Sequence, residues 1–189
     1  MDRNLGANRA AISSTDAQSY GNLYQWGRGS DGHQCVNRYS GDGVTTSGTT
    51  TTLSSSDTPG NGNFIVNNVG PHNWRSTSND LLWQGVNGAN KPCPSGYRLP
   101  TETEFTSERS TWTTTNADGA FASNLKLPLA GIRGYDGTSS NINNGSSGAY
   151  WTSTVASFSQ AKYFLISSGG ANIIDHFRAT GRSVRCIKN

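Results

Sequence analysis

Charge is scarce in this chain, and so are long apolar stretches, cysteine and methionine. Charged residues make up 14% and hydrophobic ones 32% of the 189 residues, with three Cys and one Met. A chain kept unfolded by its own charge combines low hydrophobicity with high net charge and few aromatics. Here the net charge is only +3, and five Trp, seven Tyr and six Phe supply large packing areas. The composition reads as one folded, loop-rich domain, 1–189, with a core of aromatics and scattered aliphatics. No apolar run approaches the ~20 residues that span a bilayer, so direct membrane insertion is not expected. The opening MDRNLGANRAA lacks the apolar centre of a signal peptide, and the chain reads as a module excised from a larger protein. Lys and Arg are dispersed singly, which argues against nucleic acid as a partner. The one locally basic stretch, GRSVRCIKN, reads as a solvated terminal strand.

Catalytic signatures are also missing. No HExxH or Ser-His-Asp arrangement occurs. His33, His72 and His176 lie far apart, each beside polar loop residues, and read as surface histidines. Glu102, Glu104 and Glu108 form the only close acidic group, and a helix start already accounts for Glu104. Enzyme activity is not expected.

What is present is punctuated order. Ser14 or Thr15 can cap a short helix through Asp16 to Tyr20, which Gly21 ends. NLYQWG reads as a strand covered on both faces, whereas residues 37–63 hold almost no large apolar side chain and read as a surface excursion, with one Thr-rich strand at Val44 to Leu53. In CPSGYRLPTETEF, Thr101 and Glu104 stand at capping-box spacing, which predicts a helix from Glu102 to Ser110 with Phe105 on its buried face. LKLPLAGIRGYDG and GAYWTSTV read as strands, the latter placing Tyr150 and Trp151 in the core. The last thirty residues read as strands around a turn at Gly169-Gly170. The class is therefore α+β.

Three cysteines leave at least one unpaired. A Cys93–Cys186 disulfide would tie the central loop to the C-terminus; two buried free thiols are the alternative. Cys35 beside His33 lacks further ligands at metal spacing and reads as a satisfied or buried thiol.

The passages DRNLGA, YGNLYQWGRGSDGHQ, CPSGYRLPTETEF and GAYWTSTV with the terminal GRSVRCIKN resemble the Fibrobacter-succinogenes-type major paralogous domain of secreted and surface bacterial proteins. RLPTETEF with the distant RCI also resembles the formylglycine-generating-enzyme group. Both resemblances imply a C-type-lectin-like fold: short helices, twisted antiparallel strands and long binding loops. They imply kinship in shape with the variable proteins of diversity-generating retroelements, an extracellular or cell-surface setting, and for adhesin modules the binding of exposed peptide ends. The expected function is thus recognition of a peptide, a free carboxylate favoured, or of a glycan on a host or neighbouring cell. A phage or retroelement-diversified receptor-binding protein and a degenerate formylglycine-generating-type enzyme are the rivals.

The lectin calcium motifs Glu-Pro-Asn, Gln-Pro-Asp and Trp-Asn-Asp do not occur. Calcium held by loop oxygens is the remaining cofactor candidate, with Asp31 and Asp136 as its anions; the simpler reading of each Asp-Gly is a tight turn. The C-terminal third mixes aromatics with Asn, Ser and Gly, as adaptable binding loops do. Tyr135, Asp136, Asn141, Asn143, Asn144, Asp175, His176 and Arg178 are the candidate ligand-binding residues there. Arg178 is the candidate cation for a ligand carboxylate, with support of the final strand as its alternative role.

Overall fold

The computed structural model describes the chain apart from residues 41–42, 140–141 and 143–144 and the side chains of 38–40 and 43. A single 3-10 turn, Ala17–Ser19, comes first; its cap is Asp16, whose carboxylate accepts from the Gln18 N–H, rather than Ser14 or Thr15. The strands that follow are β1 (Tyr24–Gln25), β2 (Val36–Ser40), β3 (Gly43–Thr46), β4 (Thr49–Thr50), β5 (Phe64–Ile65) and β6 (Tyr97–Arg98). Then come helices α1 (Glu102–Ser110) and α2 (Ala117–Ala122), and strands β7 (Ser147–Ser157), β8 (Gln160–Ser167), β9 (Gly170–Phe177), β10 (Gly181–Arg182) and β11 (Ile187–Lys188). Pairing is antiparallel except for β4 with β5.

The centre is the three-stranded sheet β7-β8-β9. Its alternation sends Tyr150, Phe164 and Ile166 to one face, where α1 contributes Phe105 and α2 contributes Ala117 and Ala120. Trp151, Tyr163 and Ala161 face the other way, into a loop-built lobe with Trp26, Trp74, Trp83 and Leu99. Each of these tryptophans finds an acceptor for its indole N–H: Trp26 on Thr152 O (2.9 Å), Trp74 on Trp26 O (2.7 Å), Trp83 on Asn90 O (2.9 Å), Trp151 on Tyr24 O (2.8 Å). The lobe therefore buries its aromatics without stranding their polar atoms.

Helix α1 begins where the capping box puts it. Thr101 Oγ1 accepts from the Glu104 N–H (3.2 Å), and the Glu104 carboxylate accepts from the Thr101 N–H (2.8 Å). Arg98 adds a fork onto the same carboxylate, at 2.8 and 2.6 Å, and with the Thr101 bonds holds it at about 2, against the cost of burial. Thr101→Ala is expected to cost about 1 kcal/mol, because the Arg98 fork keeps Glu104 in place. An unchanged denaturation midpoint would show that the cap contributes nothing.

The structure departs from the sequence reading in several places. LKLPLAGIRGYDG is not a strand: its residues make only isolated bridges at Gly131 and Arg133. Pro128 offers no N–H, and its carbonyl takes the Tyr150 hydroxyl. Helix α2, capped by Asn116, is an addition; a Cβ at its Gly119 would sit 1.8 Å from Thr114 O, so only glycine fits. The Thr-rich segment splits into β3 and β4, and the last hairpin turns at Ser168 and Gly169, with Gly170 already in β9. GRSVRCIKN is not a solvated strand, because Arg182 and Arg185 are each 1% exposed.

Candidate functional site

Buried arginines explain much of the lobe. Arg182 lies 3.5 Å over the Tyr163 ring and 5.0 Å over Trp151; Arg178 lies 4.4 Å over Trp26, and Arg133 4.2 Å over Phe64. Rings supply the cation-binding surface that carboxylates supply elsewhere. Burial lowers Arg182 to about 10, so the guanidinium remains charged at neutral pH.

Arg178 belongs to the same set of buried, ring-stacked arginines. It is 1% exposed, and its guanidinium donates to Asp80 Oδ1 (2.6 Å), Ser157 O (2.8 Å) and Gln160 O (3.3 Å). Its donors are spent on the frame, which is the alternative role. Asp31 is likewise committed: Oδ2 accepts from Arg28 Nη2 (2.6 Å), and Oδ1 accepts from the His33 N–H (3.1 Å) and Nδ1 (2.5 Å). Burial pushes the Asp31 carboxyl up, but His33 and Arg28 outweigh it and hold it at about 2. Asp136 makes the turn: its Oδ1 accepts from Thr138 N–H (3.0 Å) and Oγ1 (2.7 Å). Among the described residues no group of three or more His, Cys, Asp or Glu converges on a metal position.

His33 is not a surface histidine, because it is fully buried. Its Nε2 accepts from the Gln25 N–H (3.0 Å), so Nδ1 carries the proton given to Asp31. Burial, with Arg28 and Arg133 nearby, outweighs Asp31 and lowers His33 to about 4. Unfolding restores an ordinary histidine near 6.5, so below that pH the unfolded chain binds the extra proton. Stability is expected to fall by up to about 3 kcal/mol as pH drops from about 6.5 to 4. His33→Gln should remove the larger share of that limb of the stability–pH curve, leaving the part that the less buried His176 contributes, and an unchanged slope would contradict the assignment. Cys35, expected to be a satisfied or buried thiol, is an exposed free thiol.

The candidate site lies where three separate segments bring rings together. His72 is 4.5 Å from Tyr135 and 4.4 Å from Phe177, measured between ring centroids. Tyr135 is 5.4 Å from Phe177 and 6.2 Å from His176. All four rings are half-buried. The Asn67 N–H on Tyr135 O (3.0 Å) and the Ala179 N–H on His72 O (3.2 Å) lock the segments to one another. His72 holds a left-handed backbone at φ 57°, a conformation that costs energy outside glycine and collects at ligand clamps. Its Nδ1 donates to Asn67 O (2.8 Å), which fixes the ring. Burial, then Arg182 and His72, lowers His176 to about 4 despite Asp175, so the His176 ring is neutral at neutral pH.

Beyond the rings stand exposed apolar side chains. Val69 is 77% exposed, three residues before His72; Phe158 is 61% exposed at the tip of the β7–β8 turn. Leu81 is 76% exposed beside Asp80, the partner of Arg178. The Ser78 hydroxyl joins the Leu81 loop to the Phe158 carbonyl. Aromatic faces rimmed by exposed apolar residues mark interaction surfaces.

Of the sequence candidates, Tyr135 and His176 meet in this cluster. Asp136 follows Tyr135 in its exposed turn, and Asp175 is exposed on β9, 3.8 Å from Lys162. Asn141, Asn143 and Asn144 lie outside the described residues. His72 and Phe177 were not among the candidates: one reads as a lone loop histidine, the other as a strand residue. Comparison with protein families, curated proteins and solved structures found no match.

Proposed function

We propose that this chain is an extracellular ligand-recognition module of the bacterial adhesin type. It binds a peptide, a free C-terminal carboxylate favoured, or a glycan on another cell. The observation that carries the reading is the ring cluster of His72, Tyr135, His176 and Phe177, with the exposed Val69 three residues before His72. Half-buried rings fixed by backbone hydrogen bonds offer contact area at little cost in conformational entropy, as binding surfaces require. The Cys93–Cys186 disulfide suits an oxidising compartment, which supports the extracellular setting. Peptide is favoured over glycan because the resemblance to adhesin modules implies the binding of exposed peptide ends.

Calcium is not needed by this reading, since Asp31 already serves Arg28 and His33. A screen against peptide and glycan arrays, with calcium and with chelator, tests it. Peptide binding that survives chelator is the expected result; binding to neither array would overturn the assignment.

A further inference from the structure

The central sheet has one covered edge and one open edge. On the β7 side, Tyr150 and Gly148 bridge to Ser183 and Gly131. On the β9 side no strand follows among the described residues. Ser167 and Gly170 close the hairpin as a pair, with Leu165–Asn172, Tyr163–Ile174 and Ala161–His176 in register behind them. The two-residue turn makes these the hydrogen-bonded pairs, so Ala171, Ile173, Asp175 and Phe177 turn their N–H and C=O groups outward. Two of these outward groups are occupied. Arg109 Nη1 donates to Ala171 O (2.7 Å), and the Thr180 N–H donates to Phe177 O (3.1 Å). The N–H and C=O groups of Ile173 and Asp175 between them have no partner among the described residues.

Arg109 marks one end of this open edge. It stands in the wall of a crevice of about 530 Å³ with Thr106, Ser110 and Thr115, opposite the start of β9. Its guanidinium is positioned by Ala171 O and, at 3.4 Å, by Asn172 Oδ1, and among the described residues no carboxylate pairs with it. The other end of the edge is the ring cluster, which contains His176 and Phe177 themselves.

We infer that β9 receives the C-terminal end of an extended peptide as a fourth, antiparallel strand, its terminal carboxylate facing Arg109. Direction follows from charge. Strand β9 runs from the Arg109 crevice toward the rings, so only an antiparallel partner ends its chain at the cation. Length follows from the two closed carbonyls: about five residues, at about 3.3 Å each, fit between Ala171 and Phe177. Main-chain bonds to Ile173 and Asp175 give affinity, and the rings meet the upstream side chains, as in other strand-addition modes. A second copy paired through the same edge would present no chain end to Arg109. This inference rests on the recognition reading above and names its ligand class and its cation.

The test uses the whole chain and two pools of random pentapeptides, one of free acids and one of C-terminal amides. Capture is read by mass spectrometry, and amide hydrogen exchange is followed by NMR. The free-acid pool should be retained at least tenfold better than the amides, with exchange slowed at Ile173 and Asp175. Arg109→Gln should reduce free-acid capture to the amide level. Asp175→Pro removes an outward N–H and an exposed carboxylate 3.8 Å from Lys162 but no bond of the β8–β9 ladder, so it should also abolish capture while the melting temperature stays within a few degrees. Equal capture of acids and amides would overturn the inference. So would capture without slowed exchange on β9 but lost in Tyr135→Ala, which leaves the ring-cluster reading intact. Capture of neither pool would remove both. Concentration-dependent protection of the edge without peptide would assign it to a second copy instead.

Discussion

A chain with both Cys93 and Cys186 replaced by alanine is expected to lose about 4–5 kcal/mol of stability. The bridge spans a sequence separation of 93 residues, so cutting it releases a long loop in the unfolded chain, and the penalty in chain entropy scales with that length. Its location adds to the effect. Cys186 is fully buried in the lobe core with Cys93, and the next residue, Ile187, pairs with Arg98 just ahead of the α1 cap. Losing the bridge thus loosens β6, β11 and the entry to α1 together. Reversible denaturant unfolding of the double variant measures this. A midpoint equal to the parent would mean that packing alone holds the C-terminus.

Arg178→Ala is expected to cost about 3 kcal/mol, as the loss of charge-assisted hydrogen bonds and of a stacked cation does. The loss has identifiable parts. The Ser157 and Gln160 carbonyls lose their donor, the Trp26 ring loses the cation stacked at 4.4 Å, and Asp80 keeps a charge with nothing opposite. Hydrogen bonds from a charged donor are worth about 1.5–3 kcal/mol each, while Asp80, 57% exposed, recovers solvation and contributes little. Folding should fail before recognition does, so at a temperature where the variant remains folded its ligand affinity stays within a few-fold. A variant of parental stability that has lost binding would return Arg178 to the ligand site.

Local signals were legible and distant ones were not. Helix α1 follows from Thr101 and Glu104, which act on each other across a single turn. The β7–β9 sheet follows from alternation within each strand, as Tyr150 and Trp151 show by facing opposite cores. The α+β class follows from the same elements. Arginine burial could not be read, because nothing beside Arg182 in the sequence announces Tyr163 and Trp151 as its neighbours. An isolated arginine reads as surface until rings from other strands close over it. The same reason hides the ring cluster: His72, Tyr135 and Phe177 meet only after three segments have folded onto one another. His33 reads as a loop histidine because its partners, the Gln25 N–H and Asp31, occupy it only in the folded turn. Helix α2 was missed because Gly119 looks like a breaker when it is a close-approach residue.

The central claim is that the ring cluster is where this chain meets its ligand. It is tested most directly by a Tyr135→Ala, Phe177→Ala double variant assayed for binding to whichever array peptide the parent captures. The two rings lie 5.4 Å apart and are both half-buried, so their removal strips the contact surface; Tyr135 packs against the lobe core only from its margin, and the fully buried Trp26, Trp74 and Trp151 stay in place. Hot-spot aromatics cost about 2 kcal/mol or more when truncated, so the loss of even one such contact lowers affinity by a factor of about 30, and the double variant should lose at least that much. The cooperative melt should persist. Binding retained within a factor of about three, in a variant that still melts cooperatively, would contradict the account.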